Sequence, residues 1–255
     1  MKTMFDLTGK VAIVTGGNGG LGLGMARGLA AQGASIVVAA RNAEKTALAV
    51  KELQALGATA NGLTVDVKDA QSVDAMVADT VGRYRRLDIL VNNAGINVRK
   101  PPHELSLAEW HDVIETNLTS AFLASNAVYP HMKKGGGGKI VNIGSMMSIF
   151  GAPFVPAYAA SKGGIVQYSK VCATTWAKDN IQVNAILPGW IDTELTKRGR
   201  AQIEGLNERV LARTPASRWG VPDDLAGIAV FLCSAASNFV TGAAIPVDGG
   251  YSING

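Results

Sequence analysis

Short apolar runs rich in β-branched residues alternate along the chain with longer stretches of helical periodicity. Seven runs have strand character, namely VAIVT from Val11, SIVVAA from Ser35, GLTVDV from Gly62, LDILVNNAG from Leu87, KIVNIGS from Lys139, IQVNAILPG from Ile181 and AIPVDGG from Ala244. They lack strict alternation of apolar and polar positions, which is typical of strands buried on both faces of a parallel sheet. The pattern predicts an α/β fold with a doubly wound parallel sheet of about seven strands and helices on both faces.

One domain is predicted for residues 1–255, because this length suits a single α/β core and no linker interrupts the pattern. KKGGGGK predicts a surface turn. Residues 192–220 carry mixed charges with weak periodicity, and their six bases outnumber their four acids. A long segment at the carboxyl edge of a parallel sheet is a candidate substrate lid, and its basic excess would favour an acidic substrate. A solvated helical excursion would explain the same composition.

Composition narrows the classes of function. The chain is 47% hydrophobic and 17% charged, with a net charge of +4 and an isoelectric point of about 9.1. No basic block accompanies this mild excess, so nucleic acid is not expected as a partner, whereas an anionic small ligand fits. No apolar window reaches the length of a membrane span and the first residues show no apolar leader, which predicts a soluble, cytoplasmic protein without a membrane partner.

Cysteine and histidine spacing predicts no metal site. Cys172 and Cys233 lie far apart in helical patterns, which excludes a CxxC site and a disulfide framework. The spacing of His103, His111 and His131 also matches no set of metal ligands. We expect both cysteines to be small buried hydrophobic residues.

A glycine-rich turn follows the first predicted strand and precedes a helical pattern. In VAIVTGGNGGLGLGMARGLAAQG, Gly17, Gly19 and Gly22 satisfy the GxGxxG spacing, and an overlapping TGxxxGxG spacing begins at Thr15. Glycines allow a tight turn and a close approach of the backbone to a pyrophosphate at the positive end of a helix. A glycine turn that binds nothing is the alternative, but the strand–turn–helix context favours a Rossmann-like dinucleotide site.

The end of the second predicted strand bears on the choice of cofactor. Ala40 is followed by Arg41 and Asn42, so no carboxylate occupies the turn where an acidic residue would bind the ribose 2′-hydroxyl of NAD. An arginine there can bind the 2′-phosphate of NADP through two N–H groups. The glycine loop, with neutral Asn18, supplies no second basic residue. We therefore predict NADP as the preferred cofactor, with NAD used less well.

A tyrosine and a lysine share one face of a predicted helix. Pro156 suits the first turn of a helix, and Tyr158 and Lys162, four residues apart, then lie side by side. An ammonium group near a phenol lowers the pKa of the phenol, so Tyr158 could give and take a proton in catalysis. Ser145 ends a predicted strand at the carboxyl edge, where its hydroxyl could hold a substrate oxygen. A chance YxxxK match with an ordinary strand-end serine is the alternative.

A polar residue falls on an apolar helix stripe. SLAEWHDVIETNLTSAF opens with Ser106 and Glu109 in capping-box spacing, and Asn117 lies seven residues after Trp110 on the apolar face. An amide that faces a core must find hydrogen-bond partners. Asn117 is thus either a satisfied structural residue or a group that organises buried water for a proton path.

Together these motifs resemble the short-chain dehydrogenase/reductase (SDR) family. The resemblance rests on TGGNGGLG, NNAG from Asn92, Asn117, Ser145, YAASK from Tyr158 and LPG from Leu187, and it extends from about residue 7 to residue 252. GGNGGLG and PGWIDTEL are most similar to the glucose, gluconate and deoxygluconate dehydrogenase branch. The resemblance implies hydride transfer between nicotinamide and a secondary alcohol or ketone, with a sugar, polyol, sugar acid or other small ketone as substrate.

The resemblance also implies roles for individual residues. Tyr158 would be the general acid/base, Lys162 would lower its pKa and bind the nicotinamide ribose, Ser145 would hold the substrate carbonyl, and Asn117 would support a water in a proton relay. Asp66 would meet the adenine. The implied cofactor contacts are Gly16, Asn18, Gly19, Gly20, Leu21, Gly22, Arg41, Asn42, Asp66, Val67, Asn93, Ala94, Gly95, Tyr158, Lys162, Pro188, Gly189, Ile191 and Thr193.

Two other functions stay open. A 3-oxoacyl-thioester reductase acting on acyl-carrier-protein substrates would use the same residues, and a non-catalytic NADP-sensing regulatory protein would use only the fold. The complete set of Asn117, Ser145, Tyr158 and Lys162 argues against the second of these. The resemblance further implies a homotetramer that packs through its two long central helices and the C-terminal strand region.

Overall fold

The protein structure is a computed structural model that describes residues 3–254, apart from the side chains at positions 195 and 198. Seven parallel strands form one sheet in the order β3-β2-β1-β4-β5-β6-β7. The strands are β1 (Val11–Thr15), β2 (Ser35–Ala40), β3 (Ala60–Thr64), β4 (Ile89–Asn92), β5 (Gly138–Ile143), β6 (Ile181–Pro188) and β7 (Ala244–Val247). The predicted doubly wound α/β sheet is therefore confirmed.

Helices cover both faces of this sheet. They are α1 (Gly20–Ala31), α2 (Ala43–Ala55), α3 (Ala70–Tyr84), α4 (Leu107–Ile114), α5 (Ser120–Lys134), α6 (Pro156–Trp176), α7 (Glu194–Gln202), α8 (Leu206–Arg213) and α9 (Ala226–Cys233). A π-helical turn, Glu115–Thr119, joins α4 to α5. Within residues 3–254, no helix combines the length and the apolar character needed to cross a membrane.

Side chains of the inner strands alternate between two cores. Val14 and Ile36 pack on one face of the sheet with Leu29 of α1, while Ile13 and Val37 pack on the other face with residues of α3, α5 and α6. These strand residues are 0% exposed. Both faces of the sheet are therefore buried, which explains why the strand sequences do not alternate between apolar and polar residues.

The sheet reverses its strand order on either side of β1, and this opens a crevice at the carboxyl edge. The chain proceeds from β1 to β2 and β3 on one side and then returns to pair β4 with β1 on the other. Loops after β1 and β4 consequently leave the sheet in different directions. β3 and β5 end at Thr64 and Ile143, earlier than the sequence predicted, so Asp66 and Ser145 lie in loops at the crevice.

The segment of residues 192–220 contains α7 and α8 rather than an irregular loop. Its two ends are joined because Gly220 N donates to Trp190 O at 2.9 Å and Asp192 N donates to Gly220 O at 2.8 Å. We call residues 192–220 the lid segment. It leaves the sheet at the carboxyl edge beside the crevice, and its role as a substrate lid stays a prediction.

Candidate active site

Two cavities at the carboxyl edge share Gly95 in their walls. The larger, of about 520 Å³, lies beside the end of β2 and the start of α2. The smaller, of about 120 Å³, lies between the end of β5, α6 and the start of the lid segment. One extended ligand can therefore contact residues of both cavities.

The structure brings most predicted site residues to these walls. In the larger cavity they are Gly16, Asn18, Arg41, Asn42, Asp66, Val67, Ala94 and Gly95. In the smaller cavity they are Leu21, Asn93, Gly95, Ser145, Tyr158, Lys162, Pro188, Gly189, Ile191 and Thr193. Four further predicted residues lie in neither wall, namely Gly19, Gly20, Gly22 and Asn117.

The glycine loop is tied to the segment that follows β4. Asn93 Nδ2 donates to Thr15 O at 3.0 Å, and Thr15 Oγ1 accepts from Asn93 N at 3.0 Å and from Ala94 N at 3.1 Å. Gly16 has φ of +62°, and a Cβ there would lie 3.1 Å from Ala94 Cα. A Cβ on Gly22 would lie 2.5 Å from Gly16 O. Glycine is needed at these two positions because the backbones approach too closely for side chains.

This loop fits a dinucleotide. No side chain caps the N-terminus of α1, where Gly19 is the capping residue. The free N–H groups of the first turn and the helix dipole therefore favour an anion such as a pyrophosphate. At the other end of the crevice, Pro188, Gly189, Ile191 and Thr193 line the smaller cavity, where they would hold a nicotinamide ring.

Tyr158 and Lys162 lie on α6 as the sequence predicts, with Pro156 as the first residue of the helix. Lys162 Nζ lies 5.7 Å from the centroid of the Tyr158 ring and donates to Ile143 O at 2.6 Å. Ser145 caps a short turn, since its Oγ accepts from Met147 N at 3.1 Å. The side chain of Ser145 also interacts with Tyr158 and lowers the pKa of the phenol. The three residues thus meet in one wall of the smaller cavity.

The acid–base properties differ from the sequence-based expectation. Burial raises the pKa of Tyr158 above its usual value, while the interaction with Ser145 and the charge of Arg99 act in the opposite direction. Burial also lowers the pKa of Lys162 to about 8. Burial thus outweighs the two lowering effects on Tyr158, and the predicted effect of Lys162 on the pKa of the phenol stays a prediction.

Asn117 is a satisfied buried amide next to the site. It is 3% exposed and lies in the π-helical turn. Its Nδ2 donates to Ile96 O at 2.9 Å and to Ser161 Oγ at 3.1 Å, and its Oδ1 accepts from Ile96 N at 2.8 Å. Ser161 Oγ in turn donates to Tyr158 O at 2.7 Å. Asn117 thus fixes the backbone that follows Gly95, and its role in a water relay stays a prediction.

Sequence reasoning missed Arg99 as a site residue. Its charge lies close enough to Tyr158 to lower the pKa of the phenol. The adjacent Lys100 anchors the loop, since its N donates to Phe154 O at 3.0 Å and its Nζ pairs with Glu109 at 2.6 Å. A Cβ on Gly199 of α7 would lie 3.0 Å from Arg99 Nη2. No motif marks Arg99, because its location depends on how two loops and the lid segment fold together.

Comparison with known proteins identifies the family to which the chain belongs. A family model described as enoyl-(acyl carrier protein) reductase matches residues 16–252. The chain therefore belongs to the short-chain dehydrogenase/reductase family, and the predicted resemblance is confirmed. It is an NAD(P)-dependent oxidoreductase of alcohol dehydrogenase or ketone reductase type.

Three known proteins are similar to the chain over nearly its full length. The chain is 44% identical over 248 residues to a 2-dehydro-3-deoxy-D-gluconate 5-dehydrogenase of Escherichia coli K12, covering 97% of each chain. It is 41% identical to a gluconate 5-dehydrogenase of Gluconobacter oxydans 621H, covering 98% of each chain. It is similar, with a TM-score of 0.93 and 40% identity over 98% of each chain, to a crystal structure of a Burkholderia cenocepacia J2315 gluconate 5-dehydrogenase in complex with NADP and tartrate.

Proposed function

We propose that the protein is an NADP-preferring dehydrogenase that interconverts a secondary alcohol and a ketone on a small sugar acid. The activities named for its relatives support the substrate class, and the NADP held by the Burkholderia relative supports the cofactor. The observation that carries the proposal is Arg99, whose charge acts on Tyr158 and which pairs with no acidic side chain within residues 3–254. A substrate carboxylate would provide that missing partner.

The residues of the smaller cavity suit this reaction. When bound, the nicotinamide supplies or accepts the hydride. Tyr158 would donate the proton to the carbonyl oxygen during reduction, and its raised pKa keeps the phenol protonated at neutral pH. Ser145, which lines the same cavity as Tyr158, would hold the same oxygen. Lys162 is charged below about pH 8 and would stabilise the phenolate that remains after the proton has left.

Arg99 suits recognition of a carboxylate through its location. The contacts of Lys100 anchor its loop, and α7 lies against its guanidinium at Gly199. A guanidinium can bind a carboxylate through two parallel N–H groups, which fixes orientation as well as distance. Bound in this way, a sugar acid would present a carbon of its chain to Tyr158.

The basic excess of the lid segment gives weaker support than its count suggests. Lys197 pairs with Glu194 at 3.2 Å, Arg218 pairs with Asp224 at 2.7 Å, and Arg200 pairs with Asp192. Arg213 lies instead over the rings of Phe150 and Tyr251, at 5.0 and 4.5 Å from their centroids. The side chain of Arg198 lies outside the described residues. Acidic partners thus neutralise three of the six lid bases, so the proposal relies on Arg99 rather than on net charge.

A substrate panel tests this function. Sugar acids, their neutral polyol and amide analogues, simple ketones and 3-oxoacyl thioesters are assayed with both cofactors by nicotinamide absorbance. We expect turnover of a sugar acid with NADP, and Arg99→Gln should raise KM for the acid about 10- to 100-fold while changing KM for its neutral analogue less than two-fold. Arg209→Gln, an exposed lid variant, is the matched control. Turnover of acyl thioesters alone would refute the sugar-acid assignment and favour the thioester reductase.

We also propose a cytoplasmic homotetramer. Phe122 on α5 and Val171 on α6 are 50% and 62% exposed, and Phe239 before β7 is fully exposed. Exposed apolar side chains on the two long helices and near the last strand support interfaces there. Light scattering after size exclusion tests the assembly, and Val171→Glu should reduce its mass. The free thiols of Cys172 and Cys233 support a reducing compartment.

A further inference from the structure

A lysine of α2 lies over the glycine loop. Lys45 is in the first turn of α2, where its N donates to the capping Asn42 Oδ1 at 2.8 Å. Lys45 Nζ is 2.8 Å, and its Cε 2.9 Å, from the position that a Cβ on Gly19 would occupy. Gly19 has φ of 172°, an extended conformation open to any residue. The end of the Lys45 side chain therefore lies directly over the backbone of Gly19.

The charge of Lys45 has no acidic partner. Among residues 3–254, no carboxylate lies within ion-pair distance of its Nζ. It also occupies the first turn of a helix, where the positive end of the helix dipole disfavours a cation. The electrostatic surroundings of Lys45 are thus unfavourable for a cation. A bound anion would make them favourable.

Lys45 belongs to the wall of the larger cavity, which it shares with Arg41 and Asn42. Asn18 Nδ2 donates to Thr46 Oγ1 at 3.2 Å, a bond that joins the glycine loop to α2 and keeps Lys45 next to the loop. Arg41 approaches the same space from the turn after β2. The two cations therefore flank one end of the cavity from two different elements.

We propose that Lys45 is a second phosphate-binding cation, which binds the 2′-phosphate of NADP together with Arg41. This inference rests on the proposed preference for NADP. It corrects the sequence-based expectation of a single basic residue, since the glycine loop itself is neutral but the following helix supplies a lysine to it. Discrimination against NAD should accordingly exceed what Arg41 alone provides.

Binding of two cofactor fragments tests the assignment without turnover. Calorimetry compares 2′,5′-ADP with 5′-AMP, which lacks only the 2′-phosphate, on wild type and on Lys45→Met, Arg41→Met and Lys45→Arg. Lys45→Met should weaken binding of 2′,5′-ADP about 10-fold and of 5′-AMP less than two-fold, because a charge-assisted bond to the 2′-phosphate is lost. Lys45→Arg should retain the affinity. Lys51→Met removes an exposed lysine of the same helix and should change neither ligand.

The outcomes separate this inference from the function on which it rests. Equal losses for both fragments in Lys45→Met would overturn it, since the lysine would then act on the phosphates that NAD and NADP share. Unchanged binding would also overturn it. A wild type that binds both fragments equally would refute the NADP preference itself. A wild type that prefers 2′,5′-ADP, with a Lys45→Met variant that keeps the same preference, would refute only the role of Lys45.

Discussion

Lys162 and Lys139 are buried lysines at opposite edges of the same sheet. They are 4% and 9% exposed, and burial lowers the pKa of each to about 8. Lys162 Nζ donates to Ile143 O at 2.6 Å, while Lys139 Nζ donates to Asn238 Oδ1 at 2.9 Å and Ser237 Oγ at 3.3 Å. By burial, charge and pKa alone, the two lysines are nearly equivalent.

The groups that surround Lys162 and Lys139 differ. Lys162 lies beside Tyr158, whose proton can move to a substrate, in the wall of the cavity at the carboxyl edge. Lys139 lies near Cys233, and burial raises the pKa of that thiol to about 12, so it stays protonated. A perturbed lysine pKa therefore reports burial, and the proton donor and ligand cavity beside it decide whether the lysine is catalytic.

The largest expected effect is loss of the transferable proton at the carboxyl edge. Tyr158→Phe should lower kcat about 10²- to 10⁴-fold, the usual contribution of general acid/base catalysis, and leave NADPH binding nearly intact. Steady-state kinetics and NADPH fluorescence measure the two quantities. Tyr168→Phe, on the same helix and also with a buried hydroxyl, should keep wild-type kcat. A Tyr158→Phe variant with more than about a tenth of wild-type kcat would remove Tyr158 from the mechanism.

Replacement of Lys162 should have the next largest effect, and replacement of Lys139 should have almost none. Lys162→Met removes the charge that stabilises the phenolate, and we expect kcat to fall about 10²-fold with weaker NADPH binding. Lys139→Met should leave both quantities within two-fold, because its neighbours take no part in proton transfer. Similar losses in both variants would show that burial of a lysine, rather than its neighbours, supports activity.

Two buried asparagines, Asn117 and Asn184, should show smaller effects on kcat when they are replaced. Asn184 is 1% exposed and holds the backbone before β7, since its Nδ2 donates to Val240 O at 2.8 Å and its Oδ1 accepts from Ala243 N at 3.0 Å. Asn117 holds Ile96 in the same manner. Replacement of either by Ala should cost about 1 to 3 kcal/mol of stability. Only Asn117→Ala should also lower kcat, by about 10- to 100-fold, because Gly95 and Ile96 would shift at the site. Equal kcat in both variants would assign Asn117 a purely structural role.

The sequence predicted those parts of the site that depend on local pattern. Strand runs located the carboxyl edge, and helix spacing placed Tyr158 and Lys162 on one face of α6. Capping-box spacing also predicted the start of α4, where Ser106 Oγ accepts from Glu109 N at 3.2 Å. These features follow from residues that are close in the chain, for which periodicity and capping chemistry are sufficient.

Features that depend on long-range packing were not predictable. Arg99 approaches Tyr158 only because its loop is held against Phe154, and Lys45 reaches Gly19 only through the position of α2. The same applies to charge, because the sequence does not show which bases of the lid segment pair with acidic side chains. The pKa direction of Tyr158 also depends on how deeply the folded chain buries the phenol.

The smallest expected effect concerns Lys139, which should make the free energy of unfolding depend on pH. The folded state lowers the pKa of Lys139 to about 8, below the usual value of about 10.4 in an unfolded chain. The cost of burying its charge is therefore complete below pH 8 and declines as pH rises toward 10.4, so this residue makes stability increase with pH. The free energy of unfolding of Lys139→Met minus that of wild type should fall by about 1 to 2 kcal/mol between pH 7 and pH 9.5. Denaturant titrations measure it.

Lys133→Met is the control, because the hydrogen bond with Asp179 raises the pKa of that lysine and moves its titration above this window. A difference for Lys139→Met that stays constant with pH would mean that Lys139 is solvated well enough to remain charged, and the equivalence of the two buried lysines would not hold.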